Sequence, residues 1–445
     1  MIYRNKLFFV LLASVVAACS GDSVALDQGS AVAAGETGGE VSFSGYTQRS
    51  AVTTRGGAVG ALVNGAAGGG EVSLNSGFGV FGYYTDWHGY DESCKPNFMY
   101  NQKVAYQNGY WNYSPIRYWA NEPGGDDSSD RDMISFFAYA PYVACDAYGQ
   151  VDDDATGITG FPRNTATGDP YVRYTGSFRP SAKVDLCWGV CSEDDKSWKI
   201  LQDGGTQTMQ AGMPWLNVQR PLQSTGQHLK FTFRHALAQM NLQISTDADL
   251  AAGTKIYVRS ISFKGIAQNG ALCLNNKTKD KPLWMNSQTT DILDANETVT
   301  IHDGRTDGYE GAAGASTTTE TPTGLNPILT SDDGNSTAGV TSTVCNLFDS
   351  SNVGASVFVI PNGRPLEVTI VYDVETADPH LKGHYLSDGI TCGTSIEHCV
   401  TKAINVAAGA LKLESGRKYT IGLHLGMGSV KFTAEVEEWD ENTGV

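Results

Sequence analysis

Charge is scarce in this chain, and basic charge is scarcer still. Asp, Glu, Lys and Arg make up 18% of the 445 residues, with 31 Lys and Arg against 48 Asp and Glu and a net charge of −17. That balance argues against nucleic acid as a partner and leaves no electrostatic hold on anionic lipid. Long hydrophobic runs are missing too. Beyond the N-terminal segment, no stretch approaches the roughly 18 apolar residues that a membrane-spanning helix needs. Helical periodicity is weak throughout. The usual catalytic wordings are absent, with no G-x-S-x-G turn, no G-x-x-x-x-G-K-[ST] phosphate loop and no H-E-x-x-H zinc helix. The chain therefore nominates no catalytic residue and no cofactor, no metal site is expected from these wordings, and the expectation is a protein that is not an enzyme.

The N-terminus carries a targeting segment. Arg4 and Lys6 form a basic head, Leu7 to Val16 an apolar core, and Val16-Ala17-Ala18-Cys19 a lipobox. The pattern predicts a lipoprotein signal peptide over 1–18, cut before a Cys19 that carries lipid. Each buried methylene contributes about 0.8 kcal/mol, so an acylated Cys19 holds the chain on a membrane without a spanning helix. About 425 residues remain, too many for one hydrophobic core and suited to two domains. The boundary is placed near Gln223 to Gly226, giving an N-terminal domain over 19–224 and a C-terminal domain over 225–445.

Eight cysteines follow Cys19, at 94, 145, 187, 191, 273, 345, 392 and 399. An exported chain permits disulfides, but the count alone does not fix the pairing. On a straight strand Cys187 and Cys191 stand roughly 13 Å apart, too far for a bridge unless Gly189 turns. Disulfides, buried thiols, or a zinc site from Cys187, Cys191, Cys392 and Cys399 with His398 remain the alternatives. His380 and His384 share an i,i+4 spacing, but Pro379 and Gly383 speak against the helix that would align them. Asp152 to Asp154 lack the spacing of a calcium loop and read as a solvated turn. His235 reads as a histidine satisfied within a strand.

Alternation by twos is what the chain does have. Leu366 to Val374 and Ser429 to Glu437 alternate apolar and polar residues, the mark of half-buried antiparallel strands. The side-chain phase slips between Ala236 and Gln239, and again between Val258 and Ile261, which predicts bulges or breaks. With the turn at 247–253 this suggests a long bent hairpin. Further strands are predicted at Val41–Tyr46, Phe78–Tyr84, Tyr110–Trp119, Met133–Val143, Tyr171–Gly176, Lys183–Gly189, Thr298–His302, Ser356–Pro361 and Lys418–Gly426. Short strands with Gly-rich and Asn-rich turns make an all-β chain of sandwiches. The Gly-rich run 56–70 and the Gly/Ser/Thr/Asp-rich run 305–343 read as surface loops.

Eighteen of the 44 aromatic residues fall between Phe78 and Tyr142. Their default place is a sandwich core. The wording FGVFGYY, FMYNQKV, W-x-Y-S-P-I-R-Y-W and ISFFAYAPY, with the later FRHALAQMNLQI and SVKFTAEVEEW, resembles the fimbrillin-like (Mfa-like) family of Bacteroidales surface proteins, which includes type V pilus subunits. The resemblance covers most of the chain after Cys19. It implies two β-sandwich domains of transthyretin-like topology, export as a lipoprotein to the outer membrane and cell surface, and other fimbrial subunits as partners. It further implies that an arginine-specific protease removes an N-terminal strand, whose groove then accepts a strand from the next subunit.

Carried onto this sequence, the strand to be lost is Val41 to Tyr46, with Val41 and Phe43 alternating against Tyr46. The cleavage points are Arg49 or Arg55, just before the Gly-rich loop, where a protease reaches the backbone. Val430 to Val436 is needed to complete the second sandwich, and the polar stretch Glu437 to Val445 is ill suited to donation. The expectation is thus a tip or accessory fimbrillin mediating cell adhesion through a host or bacterial surface ligand. The other reading is a surface lipoprotein that never polymerises and binds glycans through exposed Trp or Tyr rings.

Overall fold

The computed structural model describes residues 39–47 and most of the chain from 77 to 438. The longer stretches outside the description are 1–38, 48–76, 121–131, 177–184, 192–198, 220–227, 247–253, 287–296, 304–328, 331–344, 347–356 and 439–445. The signal segment, Cys19, Arg49, Arg55 and both low-complexity runs fall almost wholly there.

Among the described residues every regular element is a strand, and no helix is long and apolar enough to cross a membrane. The chain is all-β. The first strands are β1 (Phe43–Thr47), β2 (Phe78–Tyr84), β3 (Met99–Gln107), β4 (Tyr110–Asn112), β5 (Ile134–Ala140), β6 (Ile158–Gly160), β7 (Tyr171–Thr175) and β8 (Cys187–Val190). There follow β9 (Lys199–Gln202), β10 (Gly205–Thr208), β11 (Trp215–Val218), β12 (Leu229–His235), β13 (Ala238–Thr246), β14 (Thr254–Lys264), β15 (Ile266–Ala267), β16 (Asn269–Cys273), β17 (Leu283–Met285) and β18 (Val299–Asp303). The last are β19 (Leu329–Thr330), β20 (Cys345–Asn346), β21 (Val357–Pro361), β22 (Glu367–Ala377), β23 (Gly393–Ala403), β24 (Asn405–Val406), β25 (Gly409–Ala410), β26 (Arg417–Leu425) and β27 (Val430–Glu438).

The first sheet runs β1-β12-β8-β5-β11-β9-β10, with β2, β3 and β4 branching from β5. Strands β2 and β5 are apolar at nearly every position because both of their faces are covered. On one face Phe78, Val80, Phe136 and Ala138 join Val41, Phe43 and Phe231; on the other Phe81, Tyr83, Phe137 and Tyr139 pack against Phe161, Val172, Tyr174 and Leu272. Most of the described rings of the aromatic run are buried in these cores or packed against them, as expected, while Tyr118 is exposed. A fully buried aromatic ring contributes about 1.5–3 kcal/mol, so this cluster dominates the stability of the first lobe.

In the second lobe the sheet β15-β21-β13-β26-β27 faces the sheet β18-β14-β22-β23 across a core that includes Met240, Leu242, Ile261, Phe263, Ile370, Tyr372 and Ile421. A smaller sheet, β17-β16-β7-β6, combines strands from either side of position 225. It covers the second face of β2 and β5.

The phase slip at 236–239 is a strand break, one of the two causes expected: β12 ends at His235 and β13 begins at Ala238, and the chain changes sheet there, since β12 pairs with β1 and β8 while β13 pairs with β21 and β26. Two expectations need correction. Strands β13 and β14 form no hairpin but lie in facing sheets, which is why both can turn an apolar face inward. The strand predicted over Tyr110–Trp119 ends at Asn112, because Pro115 has no N–H to give a ladder. The second slip holds as a bulge: the β14–β22 register shifts between Val258 and Ser260.

Candidate functional site

The site is the seat of β1, at the edge of the first sheet. Its order Val-Ser-Phe-Ser-Gly puts Val41, Phe43 and Gly45 on one side of the extended chain. Val41 and Phe43 are 1% and 2% exposed. The Phe43 ring stands 5.5 Å from Tyr113, 5.4 Å from Phe136 and 6.0 Å from Phe231. Gly45 lies over Phe78 and Phe233, with no room for a side chain between the rings.

Main-chain bonds hold the strand along both borders. On one side β1 pairs in parallel with β12, from Phe43 opposite Leu229 to Thr47 opposite Phe233, and Leu229 N–H donates to Ser42 O at 2.9 Å. On the other, Val41 N–H donates to Arg117 O at 2.9 Å and Trp119 N–H to Gly39 O at 2.8 Å. The Tyr113 hydroxyl donates to Val41 O at 2.5 Å, and burial raises the pKa of that phenol above its ordinary value. The segment 39–47 thus fills a slot between β12 and residues 113–119.

Two details weaken the fit. Ser44 Oγ, on the opposite side from Phe43, is buried without a hydrogen-bond partner among the described residues, and Thr232 Oγ1 on β12 is in the same state. Each such group costs about 1–3 kcal/mol of desolvation. A parallel ladder is also slightly less stable per residue than an antiparallel one.

Of the residues singled out from sequence, Val41 and Phe43 are inserted in the core. Tyr46 sits opposite Thr232 in the ladder. Cys19, Arg49 and Arg55 lie outside the described residues. The far wall, Tyr113 to Trp119, was not foreseen as part of the site; its only sequence signal was the W-x-Y-S-P-I-R-Y-W wording. His380 and His384 lie in a turn, with His384 N–H donating to Leu381 O at 3.0 Å. The four-thiol zinc arrangement is not assembled among the described residues, since Cys187 is in β8 of the first sheet and Cys399 in β23 of the second lobe.

No family model matches the chain. Fimbrium subunit Fim1C of Phocaeicola vulgatus is 25% identical over 381 residues, covering 84% of each chain. The crystal structure of a fimbrial protein from Bacteroides vulgatus superposes with a TM-score of 0.50 at 18% identity, covering 90% of this chain and 99% of that one. The second comparison supports the fold alone. Together they define the class: an all-β homologue of a Bacteroidales fimbrium subunit, so the fimbrillin-like resemblance read from the aromatic wording holds.

Proposed function

We propose that this chain is a fimbrial subunit of the cell surface that serves adhesion and assembles with other fimbrial subunits by exchange of its first strand. In this reading the precursor reaches the outer membrane as a lipoprotein held by Cys19. Cleavage after Arg49 or Arg55 frees 39–47, and a strand from a neighbouring subunit takes the vacated slot.

The observation that carries the reading is the position of β1. It is an edge strand, so it can leave without breaking a ladder between two other strands of the sheet, yet Val41 and Phe43 fill the core. Its removal leaves unpaired backbone on β12 and at 117–119 beside an apolar trough floored by Phe78, Phe136 and Phe231. A foreign strand supplies main-chain bonds and side chains together. The unsatisfied Ser44 hydroxyl and the parallel ladder favour replacement, because an incoming antiparallel strand without a buried hydroxyl there binds the same edge more tightly.

Mass spectrometry of fimbriae sheared from cells tests this. The expected N-terminus of the assembled chain is the residue after Arg49 or Arg55. Assembled polymer whose chains still begin at Cys19 overturns strand exchange. We further place the subunit at a tip or accessory position, because β27 is paired with β26 from Val430 to Glu438 and is thereby committed to its own sheet.

A further inference from the structure

A second site lies where β8 and β12 meet, and it belongs to neither the β1 seat nor the strand exchange. Cys187 opens β8 and His235 closes β12, and the two are direct partners in the antiparallel ladder. Directly opposed residues project to the same face of a sheet, and so does a residue two positions along. Asp185 is that residue. The register therefore gathers a thiol, an imidazole and a carboxylate from two segments 50 residues apart.

Cys187 Sγ stands 3.5 Å from Asp185 Oδ2 and 3.8 Å from His235 Nδ1, and His235 Nδ1 is hydrogen-bonded to Asp185 Oδ2. Among the described residues this is the one group of three or more His, Cys, Asp or Glu side chains whose ligand atoms all lie within 4.8 Å of one another. Asp185 is 7% exposed, Cys187 1%, and the His235 side chain 10%. A second observation points to a missing ligand: the other carboxylate oxygen, Asp185 Oδ1, is buried and has no hydrogen-bond partner among the described residues. A buried carboxylate oxygen left unpaired is costly.

From this geometry we infer that Asp185, Cys187 and His235 bind a divalent transition-metal ion, zinc by preference. In a tetrahedral zinc site with Zn–S near 2.3 Å and Zn–N and Zn–O near 2.0–2.1 Å, ligand atoms stand about 3.3–3.6 Å apart. The thiol already meets that spacing to the carboxylate at 3.5 Å and lies about 0.2 Å beyond it from the imidazole at 3.8 Å. Only the imidazole and carboxylate have to part, by about 1 Å, as the metal replaces the proton between them. The thiolate selects a borderline or soft cation over calcium or magnesium. On binding, the Cys187 thiol proton leaves to solvent and the imidazole carries its proton on Nε2 instead of Nδ1, so that the sulfur and Nδ1 both present lone pairs. Water completes the fourth position.

The location supplies a purpose. Ala236 N–H, next to His235, donates to Leu186 O at 2.8 Å, and Ala236 O accepts bonds from Trp284 Nε1 at 2.9 Å and Ser415 Oγ at 2.6 Å. The ion thus pins the chain where it leaves the first sheet for the second lobe.

Cobalt(II) added to the reduced, chelator-treated full chain is the test. About one equivalent is expected to produce a sulfur-to-cobalt charge-transfer band and the intense visible bands of tetrahedral cobalt. Zinc(II) should abolish both. Cys187→Ser should remove the charge-transfer band while Cys399→Ser, at the exposed cysteine of β23, keeps it. Zinc should also raise the thermal midpoint of the wild-type chain but not of the near-isosteric Asp185→Asn, which guards against misfolding of the cysteine variant. Absence of the band in the wild-type chain overturns the inference, as does a band that persists in Cys187→Ser.

Discussion

Gly45 has no Cβ, and the place one would occupy is taken. A Cβ built there falls 2.9 Å from a ring carbon of Phe233 and 3.0 Å from one of Phe78. Gly45→Val should therefore destabilise the full chain by about 1–3 kcal/mol, the usual range for overpacking a close-fitted core. A urea titration measures it, and an unchanged midpoint would show that the rings give way. The same crowding constrains any strand that takes the slot, which needs a very small residue at that register. Deeper in the sheet, Tyr139 and Asn101 show the opposite economy. The Tyr139 hydroxyl donates to Asn101 Oδ1 at 2.7 Å and accepts from Val143 N–H at 3.2 Å, while Asn101 Nδ2 donates to Val143 O at 2.9 Å. Every buried polar atom of that pair is partnered, and burial drives the Tyr139 phenol far above its ordinary pKa.

Among the elements, β27 bears on polymerisation. It pairs with β26 throughout, yet its inward residues grade from buried Val430 to exposed Val436. Lys402 Nζ donates to Val430 O at 2.8 Å and sits over the Phe432 ring, fastening the buried end. A strand held this way is not free for donation. Purified, protease-trimmed protein is accordingly expected to stay short of long homopolymers in size-exclusion chromatography and electron microscopy; filaments formed unaided would contradict the tip or accessory position. Strands with strict alternation or dense aromatics were legible beforehand: β2 is Phe78–Tyr84 on both accounts, and β22, β26 and β27 lie within a few residues of their expected bounds. β23 was not, because this edge strand exposes most of its side chains and so carries no apolar rhythm. The β1 strand was visible as alternation, but its partners were not. Nothing local couples Phe43 to Tyr113 or Phe231. The Asp185, Cys187 and His235 cluster was hidden for the same reason: only the β8–β12 register brings it together, while the cysteine spacing drew attention to Cys191.

For the whole molecule, the joint between lobes turns on Trp284. Its ring belongs to the core shared by Tyr174 of the first lobe and Ile360 of β21, and its Nε1 donates to Ala236 O at the crossing between sheets. Trp284→Ala should cost about 3–5 kcal/mol, and it should lower the unfolding temperatures of both lobes in calorimetry. Movement of one lobe's transition alone would show the joint to be energetically silent. The chain crosses this joint after His235, returns after Ala267 to lay β16 and β17 beside β7, and crosses again after Met285. Two lobes joined by one linker can be drawn apart by straightening it. Here tension between the ends of the chain has to strip β16 from the five residue pairs it makes with β7 before the lobes separate, so the mixed sheet acts as a mechanical clasp in a molecule proposed to sit at the tip of a fibre, or as its accessory, under shear.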